Sequence, residues 1–151
     1  MSFAPPALST PVKQFSVFLH NKVGALLEIV KILNECNVEV IGLSVLDSVD
    51  STVVRLIVSD PEEVSTIFKE IGVPFSTVDL IVVELVQGAF GLADCLSTLL
   101  MAETNIHFSY PLLTSSALHP ALALFLEDAD VGVSVLLSNG FKLLCQDDLS
   151  R

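Results

Sequence analysis

A repeat with a period of about 68 residues constrains this 151-residue chain more than any single motif. Asp60 and Gly72 recur 68 positions later as Asp128 and Gly140, and Gly24 recurs after 67 as Gly91. Gly24 and Gly91 each follow an apolar run and a short loop, and each precedes an amphipathic run. Such self-similarity means that one supersecondary unit is used twice. The expected organisation is an arm, 1–11, a first unit, 12–78, and a second unit, 79–151.

In the first unit, residues 12–19 are rich in β-branched and aromatic side chains and read as a strand. The period then lengthens. Leu26, Ile29, Val30 and Leu33 share one helical face, and Glu28, Lys31, Asn34 and Glu35 share the other. Residues 38–46 and 52–59 are strands around a turn, Asp47-Ser48-Val49-Asp50-Ser51, whose side chains can bond their own backbone. Asp60-Pro61-Glu62-Glu63 then starts a helix, with a capping acid, proline at the first helical position and acids in the first turn. Val64, Ile67, Phe68 and Ile71 form its inner face and Gly72 closes it. A short strand at 75–78 completes β-α-β-β-α-β.

The second unit runs in the same order. A strand at 80–86 leads through Gln87-Gly88-Ala89-Phe90 to a helix at 91–103, with Leu92, Leu96, Leu99 and Leu100 inward. Strands at 106–113 and 121–126 flank Thr114-Ser115-Ser116. Residues 128–140 contain Gly132 and three valines, poor helix formers. Asn139-Gly140 by itself suggests a hairpin. The repeat decides for a helix, because Asp128 falls on the capping Asp60 and Gly140 on the closing Gly72.

Charge excludes several functions. The formal net charge is −11, and no Lys or Arg occurs between Glu70 and Phe141. Phosphate backbones and anionic membrane surfaces have nothing to bind. The uncharged stretch 104–126 is long enough to cross a bilayer but holds Pro111, Pro120, His107 and His119, and it reads as strands. Residues 1–11 show no leader pattern. Cys36, Cys95 and Cys145 lack ligand spacing and read as small buried hydrophobes in a reducing cytoplasm. His20, His107 and His119 sit in separate loops or strand ends, so no metal or catalytic set is expected. Glu62-Glu63 and Asp147-Asp148 read as a helix start and a polar tail. With no GxSxG, HExxH, P-loop or Rossmann pattern, the expectation is a protein that is not an enzyme and uses no cofactor.

Each unit is the split-βαβ, ferredoxin-like arrangement, so the expected fold class is α+β. Its sheets are antiparallel with helices on one face. Residues 80–83 and 122–126 are apolar on both faces, and a wet second face would alternate. The second face therefore needs a cover, which predicts a homodimer. Pro111 removes one donor from the second unit's edge strand, so the first unit's edge, 40–46, should make the more continuous pairing.

The two turns narrow the reading. His20-Asn21-Lys22-Val23-Gly24-Ala25-Leu26 and Gln87-Gly88-Ala89-Phe90-Gly91-Leu92 resemble the opening of the ACT domain. Two copies running together resemble the stand-alone tandem ACT proteins of bacteria. The family's turn usually reads Asp, any residue, Pro, Gly. Here the Asp place holds Asn21 and Gly88, and the Pro place holds Val23 and Phe90. The resemblance implies a regulatory protein that binds an amino acid at Asn21, Lys22, Val23, Gly24, Ala25 and Leu26, or at Gly88, Ala89, Phe90, Gly91 and Leu92. A backbone turn feeding a helix N-terminus suits a carboxylate. Gly24 and Gly91 are also expected to lack Cβ so that strand and helix can pack closely. Two other functions stay open: a dimerisation module without a ligand, and a regulatory subunit of an amino-acid biosynthetic enzyme such as acetohydroxyacid synthase.

Overall fold

The computed structural model describes residues 10–20, 22–113 and 119–150. The chain runs β1 (Val12–Leu19), α1 (Lys22–Glu35), β2 (Val40–Asp47), β3 (Thr52–Val58), α2 (Pro61–Ile71) and β4 (Phe75–Glu84). A 3₁₀ turn at Gly88–Phe90 follows. Then come α3 (Gly91–Met101), β5 (Ile106–Pro111), β6 (Ala121–Leu126), α4 (Ala129–Ser138), β7 (Lys142–Leu144) and α5 (Gln146–Leu149). The repeated βαββαβ order is present, and the units are ferredoxin-like. Asn21, the arm before Thr10 and the turn at 114–116 lie outside the described residues.

Local chemistry sets the helix ends that the repeat singles out. Asp60 Oδ1 accepts from the Glu63 amide at 3.2 Å, and Asp128 Oδ1 accepts from the Val131 amide at 3.1 Å. Gly72 and Gly140 take positive φ of 75° and 83°. The segment 128–140 is thus a helix despite its valines. Gly132 serves packing there, since a Cβ at that position would run into Leu126 Cδ1 on β6.

The strands expected at 75–78 and 80–86 are one strand, β4. Its first half pairs with β1, from Val12↔Leu80 to Val17↔Phe75. Its second half pairs with β6 and with β7. The strand order β2-β3-β1-β4-β6-β5 is then a single sheet, with β7 on β4 off this path.

Three apolar layers follow from strand alternation. Phe15, Val17, Leu56 and Val58 meet α1 and α2. Val83, Leu124 and Leu126 meet α3 and α4. The opposite faces meet each other: Val12, Ile41 and Ile57 of the first unit pack with Val82, Tyr110, Ala121, Ala123 and Leu144 of the second. The second face of each unit's part of the sheet therefore packs within one chain. The apolar strands do not require a second copy, because the partner they call for is the other unit.

The edges come together as well. β2 meets the residue just after β5 at the isolated bridge Gly42↔Leu112, and the Leu113 amide donates to Ile41 O at 2.6 Å. Gly42 permits this approach, since a Cβ there would lie 3.1 Å from both Ile57 Cδ1 and Leu112 Cδ2. The continuous pairing expected along 40–46 is not made on that edge within the chain, where β2 meets the residue just after β5 at one bridge. Polar contacts tie the units too. The buried Gln146 side chain donates to Val58 O at 3.0 Å and accepts from the Lys13 amide at 3.2 Å, docking α5 on the first unit.

Side-chain placement differs from the periodic reading at several points. α3 buries Gly91, Cys95 and Leu99, while Leu92, Leu96 and Leu100 are 36%, 40% and 76% exposed. Ile71 and Cys36 are also exposed. Periodicity groups residues on a face; it does not say where the packed seam ends.

Candidate functional site

Both candidate turns connect an apolar strand to a helix, but they are far apart and unalike. The Val17↔Phe75 pairing puts the β1–α1 turn near the start of β4, whereas the second turn follows the end of β4 at Glu84. A strand of that length separates them by about 30 Å. They cannot hold one ligand together within a chain.

At the first turn α1 begins at Lys22, two residues before Gly24, and its first turn contains no acid. Val23 is 80% exposed and Gly24 is exposed, while Ala25 and Leu26 are partly buried. Solvent therefore reaches a helix N-terminus that carries no negative side chain among the described residues. That end of the helix favours an anion.

The second turn differs at each of these points. The Gly88 amide donates to Leu85 O at 2.9 Å, and the Gly91 amide is used within the 3₁₀ turn. Gly88 has φ of 62°, so it is the residue here that needs to be glycine. Gly91 is buried, but a Cβ on it would meet Gln87 Cβ at 3.7 Å and Leu85 Cδ2 at 3.9 Å, ordinary contacts. The expected need for a missing Cβ at Gly91 does not hold. α3 has no side-chain cap, but Asp94 already places a carboxylate in its first turn. Ala89 is exposed and Phe90 is 89% exposed. This turn offers apolar surface more than an anion site.

One buried charged group was not singled out in the sequence. Glu84 is 5% exposed at the end of β4. Its Oε1 lies 2.7 Å from His119 Nδ1, and Oε2 lies 3.5 Å from Lys142 Nζ without a hydrogen bond. A lone acid in the apolar run 80–86 was the available signal. The other histidines are elsewhere: His20 follows β1, and His107 on β5 packs near Phe125 at 5.8 Å. Among the described residues no three His, Cys, Asp or Glu are grouped to hold a metal. No helix of the described residues is long and apolar enough to cross a membrane.

An open groove of about 850 Å³ lies at the other end of the first unit, lined by Lys13, Glu39, Asp60, Glu62, Gln146 and Asp147 among others. It includes neither turn. Its buried polar group, Gln146, is already bonded on both amide atoms.

Comparison with known proteins places this geometry. The family described as an ACT domain pair matches residues 10–151. No curated protein matches the sequence. A crystal structure of a Bacteroides thetaiotaomicron protein is 25% identical and superposes with a TM-score of 0.84, over 94% of this chain and 97% of that one. The regulatory subunit of aspartate kinase from Thermus thermophilus, in its ligand-free form, is 11% identical with a TM-score of 0.59, covering 86% and 93%. That from Thermus flavus is 13% identical with a TM-score of 0.52, over the same shares. The two Thermus likenesses concern the fold.

Proposed function

Because the chain belongs to the ACT family, as an ACT domain pair over residues 10–151, we propose that it is a non-catalytic regulatory protein of the cytoplasm. In this reading it takes the carboxylate of an amino acid at the N-terminus of α1. The observation that carries it is the asymmetry between the turns: α1 has no acid in its first turn and exposes Val23 and Gly24, whereas α3 already holds Asp94 there. A ligand carboxylate is stabilised by the amides and positive end of α1. Its ammonium offsets part of the net charge of −11, so a zwitterion fits better than a di-anion. The division into units 12–78 and 79–151 belongs to the same proposal, with binding assigned to the first.

A thermal-shift screen against the twenty amino acids tests the reading. At 100 times its Kd a ligand stabilises by about 2.7 kcal/mol. For a chain of this length that is a shift of about 5–11 °C. Gly24→Asp should abolish the shift while leaving the free protein at least as stable, because an acid in the first turn suits the helix and opposes a second carboxylate. If no amino acid moves the melt by a degree at millimolar concentration, binding is refuted and an interaction module without a ligand is the better account. Asp94 and the exposed Phe90 at the second turn favour that alternative for the second unit.

A further inference from the structure

We propose that the first unit binds a small carboxylic acid with an apolar tail at Arg55, on the sheet face turned to the second unit. The cross-strand pairings lay Ser76, Ser16, Arg55 and Ser44 in one row across β4, β1, β3 and β2. On one side of this row Gln14, Ile57 and Gly42 lie against Tyr110 and Leu112 of the second unit. On the other side Phe18, Val53 and Leu46 form the next row, which the second unit leaves open: Phe18 is 46% and Leu46 51% exposed.

Polarity along this face is inverted. Solvent favours charge at the open end and apolar side chains next to the core. Here the half-buried Arg55 lies inward and the apolar row outward. The fold does not impose this order. Arg55 and Ala123 each stand five residues before a capping acid, Asp60 and Asp128. The row through Ala123, formed with Leu144, Val82 and Tyr110, carries no charge and is buried.

Arg55 also lacks an acid. It is the only charged residue on this face of β1, β2, β3 and the first half of β4. Among the described residues no ion pair or hydrogen bond reaches its guanidinium. Its contact is the Phe108 ring at 3.8 Å, which engages one face of the fork and none of its N–H donors. Ser16 Oγ accepts from Gln14 Nε2, so its own proton is left to donate, and Ser44 and Ser76 make no side-chain hydrogen bond among the described residues. A carboxylate takes paired bonds from a guanidinium. The net charge of −11 disfavours a dianion and so selects a carboxylate over a phosphate. The open row spans two strand spacings, about 10 Å, room for a short tail rather than a protein surface.

The test uses the whole protein and hexanoate as the probe, with hexanol lacking the charge and hexylamine reversing it. The Arg55 Nε–H resonance and the Phe18 and Leu46 amides report binding. Hexanoate should shift all of them and saturate at millimolar concentration, and both controls should bind about tenfold more weakly or worse. Arg55→Met keeps an apolar stem on Phe108 and should weaken binding about tenfold or more, read on the two amides. Leu46→Ser, at a half-exposed position, should weaken it about threefold or more with the melt unchanged. Hexanol binding as tightly as hexanoate overturns the proposal, as does no shift at these resonances. Unchanged affinity in either variant overturns it too. A hexanoate effect that Gly24→Asp removes and Arg55→Met leaves would belong to the N-terminus of α1 and also overturn it, so this site and the amino-acid reading stand or fall separately.

Discussion

The Tyr110 hydroxyl donates to Gln14 Oε1 across 2.7 Å, and both side chains are buried where the two units meet. Gln14 Nε2 is held in turn by Ser16 Oγ at 3.1 Å, so the amide is fixed on both atoms. Around this bond Phe108 stacks on Phe125 with centroids 5.0 Å apart, and Arg55 lies 3.8 Å over the Phe108 ring. Apolar burial brings the units together, and this bond is one of the polar ties between them.

Tyr110→Phe should leave the Gln14 oxygen buried without a donor. The expected cost is about 1–3 kcal/mol, a fall in Tm of about 2–12 °C. Adding Gln14→Leu should cost much less than the sum of the single changes, because both partners are then gone. Additive losses in urea melts would show that the two residues do not act as a pair.

Stability should fall at high pH because of the same phenol. Burial pushes the Tyr110 pKa up, and the Arg55 charge offsets this only in part. In the unfolded chain the phenol ionises near pH 10. The folded form keeps its proton longer, so the contribution is present below about pH 10 and lost as pH rises beyond it. Tyr110 is the only tyrosine, so tyrosinate absorbance reads it directly. It should appear together with unfolding, and Tyr110→Phe should flatten the alkaline fall in Tm.

The glycines should separate by packing. Gly42→Val forces a side chain between Ile57 and Leu112, where even a Cβ is tight, and should cost about 1–3 kcal/mol. Gly91→Ala meets ordinary contacts and should not lower the Tm. A Gly91→Ala loss equal to that of Gly42→Val in calorimetry would refute this ordering.

Thiol reactivity should follow exposure. Cys36 is exposed, whereas Cys95 is fully buried and burial raises its pKa. Iodoacetamide near pH 8 should label Cys36 in the native protein and reach Cys95 only after denaturation. Equal labelling rates by mass spectrometry would contradict the packing of α3 on its sheet.

What the sequence determined by itself is what short-range chemistry decides. Asp60 and Asp128 cap helices by reaching amides three residues away, and Gly72 and Gly140 close them by adopting a backbone that other residues resist. Those interactions need no partner from elsewhere in the chain, so the repeat, the α+β class and even the valine-rich α4 could be read. The tertiary structure decided what each apolar face meets. Leu80 and Val82 had to be covered, but only the fused β4 and the Gly42↔Leu112 closure show that the second unit covers the first. Leu92, Leu96 and Leu100 have the same hydropathy whether packed or exposed, and the turns look equivalent until Asp94 and Phe90 are placed at one of them. Pattern fixes which residues travel together along an element; the contact that buries or exposes them comes from distant parts of the chain, where local spacing carries no information.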